Sequence, residues 1–492
     1  MTLTRPDDLF DRVAEWEDLS AFVGARGPGL RVAVVHGRRR QGKSFLLRRL
    51  VREAGGFYHQ ALEEESAPAL ERLGGALGAW LSVPGGRLGL TDWSAAVEVL
   101  AGLAGEQRAP AVAVIDELPY LLDRVPELSS MLQRAVDASQ DSDRGGAVRL
   151  VLCGSALSVM SGLLSGQRAL RGRVTSTLRV DPFDFRETAA YWGVAENWPV
   201  AIRLHAILGG TPGYRDLLAI KAPASVAGIG RWLASGVCNP ASSLFREDDY
   251  LLAEERGLSD RALYHSVLAA VAAGNLSETK IAAALGRERQ AVAWPLRVLL
   301  EAGFLLRHDD ALRLRRPSYR IAEPIVRFHH VITRPRLARF EERRASEAWA
   351  DAQQSFSTHI LGPHFEDLAR LWTSRYASEA TVGGRLARVG ATQLSDPNGR
   401  SQLEVDVVGI GSGDTDGVVL LGEAKAGSKP VGVSVLARLE RARELLSTRT
   451  AVASEVKLAV FSLSGFDGAL RSAASRRGDV ELVDLERLYT GV

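Results

Sequence analysis

The chain has 492 residues, of which 46% are hydrophobic and 24% charged, and its formal net charge at pH 7 is +2. This composition is typical of a soluble protein, and at roughly 150 residues per domain the length predicts about three domains. A nearly neutral chain is not a polycation, so any contact with nucleic acid must come from local basic surfaces.

Cysteine content and hydropathy argue against two further classes of protein, those held together by disulfides or cysteine-bound zinc and those that are secreted or span a membrane. The two cysteines, Cys153 and Cys238, cannot form a disulfide framework or a cysteine-based zinc site. The N-terminus has no hydrophobic signal segment, and no apolar run approaches the roughly 20 residues that span a bilayer. We therefore expect a cytoplasmic protein without membrane contact.

Residues 1–190 show short apolar runs that alternate with helical segments. Strands are predicted over 31–36, 111–115 and 148–153, and a helix is predicted from Ser44 to the glycines at 55–56. This alternation predicts an α/β domain with a doubly wound parallel sheet.

The remaining chain divides into four predicted parts. Residues 191–257 are helical and contain a Gly-Gly-Thr-Pro-Gly-Tyr turn over 209–214. Residues 258–335 read as three helices and a hairpin, which is a winged helix-turn-helix pattern. An arginine-rich linker is predicted over 336–349. Residues 350–492 predict a second α/β domain.

A phosphate-binding loop is predicted after the first strand. Its glycines let backbone N–H groups turn toward phosphates, the lysine reaches the β- and γ-phosphates, and Ser44 can ligate Mg²⁺. The predicted ATP-binding set is Gly37, Arg38, Arg39, Arg40, Gln41, Gly42, Lys43, Ser44 and Phe45.

Polar residues at later strand ends complete the predicted ATP site. Asp116 is placed for a second Mg²⁺ contact, and Glu117 can orient or deprotonate the attacking water. Ser155 is a candidate sensor of the γ-phosphate. Arg171 and Arg173 are candidates for neutralising the transferred phosphoryl group, although loop arginines are often only solvated.

A family resemblance rests on the segment around Arg12, the loop GRRRQGKS, the strand end VIDE and the turn GGTPGY. Together these resemble the archaeal-type ATPases of the signal-transducing, AAA-like branch of P-loop proteins, over roughly residues 8–335. The resemblance implies that Arg12 lies near the adenine and Pro212 near a helical lid that closes on the nucleotide.

In the predicted winged helix, Arg287, Arg289 and Gln290 start the third helix and would enter a DNA groove. Basic residues of the hairpin would meet phosphates, namely Arg313, Arg315 and Arg316. The alternative is a lid or protein-contact module. We expect Trp294 and Phe304 to belong to the core.

The C-terminal domain contains a carboxylate and lysine constellation. Glu423 and Lys425 are two apart on a strand and so share a face, and a hairpin would bring Asp406 beside them. Two carboxylates can hold a divalent metal, with Glu366 as a further ligand, and the lysine can activate water. The pattern resembles the PD-(D/E)xK nuclease superfamily, whose domains also persist as non-cleaving modules.

These features predict an ATP-hydrolysing protein that uses Mg²⁺ and controls a metal-dependent nuclease-like domain acting on nucleic acid, with DNA favoured over RNA. The alternative is a signal-transducing ATPase whose C-terminal domain only binds, with a protein partner at the winged helix. An oligomer is compatible with either. His36, His329 and His330 are interpreted as structural.

Overall fold

A computed structural model describes residues 3–103, 110–140, 147–164, 170–255, 260–313, 317–397, 399, 401–413, 417–447 and 452–491. The chain divides into two compact units. The first comprises Met1–Pro182, Thr211–Gly213 and Ala253–Gly257. The second comprises Phe183–Gly210, Tyr214–Leu252 and Leu258–Val492.

The first unit is a parallel sheet with helices on both faces. Its elements are α1 (Val13–Gly24), β1 (Leu30–His36), α2 (Lys43–Ala54), β2 (Phe57–Gln60), α3 (Ser66–Trp80), α4 (Trp93–Ala101), β3 (Ala111–Asp116), α5 (Leu118–Arg124), α6 (Leu128–Gln140), β4 (Val148–Gly154), α7 (Leu157–Leu164) and β5 (Val174–Arg179). The strand order is β2-β3-β4-β1-β5.

The order of the strands sets where the loops meet. Every residue of β3 and β4 is buried because helices cover both faces of the sheet, which explains their continuous apolar runs. The register pairs Val35 with Cys153 and Ile115 with Leu152, so β1, β3 and β4 end at the same edge. The loops that follow them therefore converge, as in other open α/β sheets that bind ligands beyond the carboxyl ends of their strands.

The second unit begins with helices. They are α8 (Phe185–Tyr191), α9 (Trp198–Leu208), α10 (Gly213–Leu218), α11 (Ile229–Ser235), α12 (Glu247–Glu254), α13 (Arg261–Ala272), α14 (Glu278–Ala284) and α15 (Arg289–Glu301). An antiparallel hairpin follows, with strands β6 (Leu305–His308) and β7 (Ser318–Ile321). Helices α13 to α15 and this hairpin form a three-helix module with a two-stranded wing.

Helices connect the hairpin to a second sheet. They are α16 (Pro324–Phe328), α17 (Leu337–Glu341), α18 (Ala345–Phe356), α19 (Gly362–Arg375) and α20 (Glu379–Val382), with π-helical turns over His329–Thr333 and Ser357–Leu361. The inner face of α18 carries buried alanines, so the arginine-rich segment before it leads into a packed helix.

The C-terminal sheet is mixed. Its elements are β8 (Leu386–Asp396), β9 (Ser401–Gly411), β10 (Val418–Lys425), α21 (Ser434–Ser447), β11 (Val452–Ser462), α22 (Gly468–Ala474), β12 (Val480–Val483) and α23 (Leu485–Thr490). Strands β8, β9 and β10 are antiparallel neighbours, whereas β10, β11 and β12 run parallel. A parallel pair needs a crossover, and α21 supplies it between β10 and β11.

One core prediction is wrong. Phe304 is buried as expected, but the side chain of Trp294 is 60% exposed. The buried positions of α15 are Val292, Pro295, Leu296, Val298 and Leu299, so the tryptophan points to the opposite face. The guanidinium carbon of Arg297 lies 4.2 Å from the centre of its ring.

Within the described residues, no helix is both long and apolar enough to cross a membrane.

Candidate functional site

The conformation of the loop between β1 and α2 requires glycine at two positions. Gly42 has a φ of 87°, which a side chain would strain, and a Cβ on Gly37 would lie 2.3 Å from the carbonyl oxygen of Val180. Lys43 begins α2, and its Nζ donates to the carbonyl oxygen of Arg38 at 2.7 Å. The ammonium group is therefore held across the loop.

Asp116, the last residue of β3, is buried and well supplied with donors. The Tyr58 hydroxyl donates to it at 2.6 Å and the backbone N–H of Glu117 at 2.9 Å. Burial alone would raise the pKa of Asp116, but hydrogen bonds from Ser44, Tyr58 and Cys153 lower it below its usual value. The carboxylate is therefore ionised and lies against the serine that follows the loop lysine.

Glu117 and Ser155 come together from β3 and β4. The Ser155 Oγ donates to Oε2 of Glu117 at 3.1 Å. Glu117 has a φ of 55°, an unusual value for a residue with a side chain, immediately before α5. Burial lowers the pKa of Lys43, and the nearby Cys153, Glu117 and Asp116 oppose that shift. Lysine, aspartate and glutamate thus share one electrostatic environment at the sheet edge.

Two segments distant in sequence contact the loop. The backbone N–H of Gly213 donates to the carbonyl oxygen of Arg40 at 3.0 Å, and Pro212 lies beside Gly42. The Arg12 guanidinium donates to the carbonyl oxygen of Gln41 at 3.1 Å. Both residues that the family resemblance singled out therefore lie against the loop.

The remaining predicted residues of this site are placed differently. Nε of Arg173 lies 2.7 Å from Oδ1 of Asp137 on α6, and Arg171 lies in the exposed turn before β5. The Phe45 ring is 42% exposed beneath the guanidinium of Arg49. Any nucleotide contact of Phe45 would therefore fall to its backbone N–H in the first turn of α2.

Sequence analysis missed several residues around the loop. Tyr58 lies on the short strand β2, which the apolar pattern does not reveal. Arg39 forms an ion pair with Glu254. Glu255 accepts a hydrogen bond from the Ser158 hydroxyl at 2.8 Å, after β4. An acidic pair at 254–255 is the only sequence signal for these contacts.

The second candidate site lies on β9 and β10. The antiparallel register pairs Val407 with Gly422, which brings Asp406 beside Glu423. Oδ2 of Asp406 accepts a hydrogen bond from the backbone N–H of Ala424 at 2.8 Å. Burial, together with the charge of Glu423, raises the pKa of Asp406 to about 6. The predicted meeting of these two carboxylates agrees with the register.

Lys425 lies between this pair of carboxylates and solvent. Its Nζ lies 2.5 Å from Oε1 of Glu423, and its side chain is 40% exposed. Glu423 is only 2% exposed, and its second oxygen has no hydrogen-bond partner among the described residues. Arg438 of α21 approaches the same Oε1 at 3.6 Å. One carboxylate oxygen thus remains without a donor beside two cations.

Glu366 on α19 faces the cluster but is already paired. Its carboxylate lies 3.1 Å from the guanidinium of Arg320 on β7. Burial and the charge of Asp406 raise the pKa of Glu366. Arg370 donates to the carbonyl oxygen of Asp406 at 2.7 Å. Sequence analysis missed both arginines, because their neighbours are distant in the sequence.

The wing is attached to the C-terminal sheet. The backbone N–H of Ala311 donates to the carbonyl oxygen of Ala391 at 2.8 Å, and the Thr392 hydroxyl donates to Asp310 at the same distance. Arg313 is exposed beside these contacts, whereas Arg315 and Arg316 lie outside the described residues. The loop of the hairpin therefore has a protein contact in addition to any contact with phosphates.

The start of α15 presents a polar, exposed surface. Arg287 and Gln290 are exposed, and Arg289 is paired with Glu278 of α14 at 2.6 Å. Trp294 lies one turn further along the helix. This exposed set, Arg287, Gln290 and Trp294, is named the α15 face below.

Comparisons with known proteins give partial likenesses. No protein-family model matches the chain. A protein of Methanocaldococcus jannaschii described as uncharacterized protein MJECL04 is 25% identical over 343 residues, which are 68% of this chain and 71% of that protein.

Two solved structures are similar over most of their own length. The Walker-type ATPase paby2304 of Pyrococcus abyssi matches 67% of this chain and 98% of its own, with 20% identity and a TM-score of 0.49. The ORC2 protein of Aeropyrum pernix matches 72% of this chain and 96% of its own, with 14% identity and a TM-score of 0.40.

Proposed function

We propose that this protein binds ATP with Mg²⁺ in the loop after β1 and hydrolyses it. The proposal rests on one observation, which is that three groups lie together beyond the ends of the adjacent strands β3, β4 and β1. They are Lys43 at the start of α2, Ser44 hydrogen-bonded to Asp116, and Ser155 hydrogen-bonded to Glu117. A lysine at the start of a helix, an ionised aspartate against a serine and a second acid are the groups that phosphoryl transfer to water requires.

The roles follow from the chemistry of each group. Lys43 would hold the β- and γ-phosphates, and Ser44 and Asp116 would hold Mg²⁺, which neutralises phosphate charge when bound. Glu117 would orient the attacking water and accept its proton, and Ser155 fixes that carboxylate. Arg12 and Pro212 would border the nucleotide, and Arg171 and Arg173 are candidates for stabilising the transferred phosphoryl group.

The test of hydrolysis is Glu117→Gln. The amide cannot accept a proton, so we expect the rate of phosphate release to fall by on the order of 100-fold or more, while Mg-ATP binding persists. Glu127→Gln, an exposed glutamate between α5 and α6, is the control and should keep the wild-type rate. Full hydrolysis by Glu117→Gln would contradict the assigned role.

We also propose that the C-terminal domain cleaves nucleic acid with a divalent metal. The supporting observation is the pair of buried carboxylates, Asp406 and Glu423, with Lys425 on the same face of β10 as Glu423. The carboxylates would hold the metal, which activates water when bound, and Lys425 would stabilise charge on the phosphodiester. Glu366 would be a further ligand through a carboxylate oxygen while Arg320 continues to donate to Oε2.

Cleavage is tested with labelled DNA and Mg²⁺ or Mn²⁺, with and without ATP. We expect Asp406→Asn and Lys425→Ala to lower cleavage by on the order of 100-fold, as for other losses of one electrostatic group. Lys429→Ala changes an exposed lysine just beyond the strand and should cleave normally. Intact DNA with every variant and the wild type would favour a non-cleaving signal-transducing ATPase.

The α15 face is the surface that we propose for DNA. Its support is the exposure of Arg287, Gln290 and Trp294, since arginine reads bases or phosphates and an aromatic ring can stack. Arg287→Ala should weaken DNA binding and reduce its dependence on salt. A variant that binds DNA as tightly as the wild type would favour a protein partner at this face.

ATP control of the nuclease-like domain is proposed from chain connectivity. The turn at 211–213 contacts the phosphate-binding loop and is continuous with α9 and α10. Likewise, Glu254, which pairs with Arg39, ends α12. Nucleotide-dependent shifts of these segments would thus reach helices of the second unit. Cleavage rates that are identical with ATP, with ADP and without nucleotide would contradict this control.

A further inference from the structure

A buried cluster of one aspartate and two histidines lies within the second unit and shares no residue with the two sites described above. Asp248 is on α12, His265 is on α13 and His330 is in the π-helical turn His329–Thr333. Each offers one ligand atom, and these atoms all lie within 4.8 Å of one another. Three separate segments therefore contribute to one small polar centre.

The polar atoms of Asp248 and His330 are poorly paired, although Nε2 of His329 lies 3.1 Å from Oδ2 of Asp248. Asp248 is 1% exposed and His330 is 6% exposed. Neither carboxylate oxygen of Asp248 and neither ring nitrogen of His330 makes a hydrogen bond of good geometry with a described residue. Unpaired buried polar groups are rare because each costs about 1–3 kcal/mol. Asp248 and His330 each offer one such atom to the centre, so a cation bound there would pair one carboxylate oxygen and one ring nitrogen.

At neutral pH an imidazole is ordinarily uncharged and has a lone pair on one ring nitrogen, which is the form that binds metals.

The orientation of His265 is that of a metal ligand with a supporting carboxylate. Its Nδ1 lies 3.9 Å from Oδ2 of Asp248, and its Nε2 lies 3.2 Å from Oδ1 of Asp249. An imidazole that donates one N–H to a carboxylate presents its other nitrogen to a metal, which fixes the tautomer. Single π-helical turns are also frequent at functional sites.

We propose that Asp248, His265 and His330 bind a divalent transition-metal ion, with zinc preferred. Two neutral imidazoles and a carboxylate suit zinc, whereas Mg²⁺ and Ca²⁺ take oxygen ligands. Nε2 of His329, which lies 3.1 Å from Oδ2 of Asp248, would hold that carboxylate in place beside the metal. Metal bonds of about 2.0–2.2 Å would draw the ligand atoms closer by about 1 Å.

The site would be structural. It joins α12, which precedes the winged-helix module, to α13 of that module and to the turn after the wing. Zinc held by three separate segments stabilises a fold because the ligands come together only in the folded state. The metal would therefore fix the first helix of the module to the two segments that flank the module in sequence.

The experiment uses the full chain, stripped with a chelator, mixed with zinc and passed through gel filtration. Elemental analysis should find one zinc per chain in the wild type and in His359→Ala, which removes an exposed histidine. Asp248→Asn and His330→Gln should lose this zinc, and zinc should raise the melting temperatures of the wild type and of His359→Ala but not those of the two ligand variants. Lys43→Ala should retain it, which separates this proposal from the ATP site.

Cobalt provides a readout that needs no variant. Tetrahedral cobalt with nitrogen and oxygen ligands absorbs strongly in the visible range, and zinc should abolish these bands by displacement. A folded wild type that elutes without zinc and shows no such bands would overturn the proposal. Retention of zinc by Asp248→Asn at the level of His359→Ala would overturn it as well.

Discussion

The edge of the first sheet and the C-terminal cluster each contain a buried aspartate on a strand, but the two carboxylates differ in charge state. Asp116 accepts hydrogen bonds from several donors, and its pKa is lowered. Asp406 accepts a backbone N–H but faces Glu423, and its pKa is raised to about 6. Burial acts on both groups in the same direction, so the partners decide the outcome.

The two carboxylates would therefore respond differently to a metal ion and to acid. Donors from Tyr58 and the backbone keep Asp116 ionised before any cation arrives. The ionised form of Asp406 is repelled by the charge of Glu423, and a divalent ion would offset that repulsion. Mild acid should therefore not protonate Asp116, so metal binding there should be unaffected by it. Metal binding at Asp406 should compete with a proton.

The largest expected contrast is the pH dependence of Mn²⁺ binding at Asp406. The raised pKa means that the proton is held below about pH 6, so a metal must displace it there. We expect the affinity to be constant above about pH 7 and to fall about tenfold per pH unit below about 6. Calorimetric titration of the wild type measures this.

Asp406→Asn sharpens this test, because the amide does not titrate. Its weaker Mn²⁺ binding should lack the fall near pH 6, so the difference between the two proteins isolates the carboxyl group. Equal slopes for both proteins would show that another group controls metal binding.

A smaller effect is expected from Ser155→Ala. Glu117 would lose one hydrogen bond but keep its charge and backbone position, so ATP hydrolysis should slow by about tenfold with the KM for ATP unchanged. Ser130→Ala, an exposed serine on α6, should hydrolyse at the wild-type rate. A rise in KM with no change in kcat would instead indicate that Ser155 contacts the bound nucleotide.

The smallest effect is expected from Tyr58→Phe. Asp116 would keep hydrogen bonds from Ser44, Cys153 and the backbone N–H of Glu117, and should stay ionised. Hydrolysis should fall by less than about tenfold, as expected for the loss of one hydrogen bond. The control is Tyr250→Phe, which changes an exposed tyrosine. A loss greater than about 100-fold would show that Asp116 depends on this one donor.

Local patterns predicted the contiguous parts of the fold. The phosphate-binding loop is a run of eight residues, and β1, β3 and β4 are apolar because both faces of the sheet are covered. The register that brings Asp406 beside Glu423 also followed from a hairpin between two recognisable strands. Signals of this kind lie within a few residues of each other, so one sequence suffices.

Features that depend on distant partners were not predictable. Nothing near Arg320 in the sequence shows that it pairs with Glu366, because the wing strand and α19 are brought together only by folding. Trp294 was assigned to the core because it is apolar, but the position of α15 leaves it in solvent. His330 was interpreted as structural, yet its two unpaired nitrogens are visible only in three dimensions.

The most direct test of the central claim is the change in melting temperature that Mg-ATP causes in the wild type and in Lys43→Ala. We expect a clear rise for the wild type and for Lys280→Ala, which removes an exposed lysine of α14, because a ligand that binds only the folded state stabilises it. Lys43→Ala should show no rise. An unchanged melting temperature in the wild type, or an equal rise in Lys43→Ala, would contradict the account.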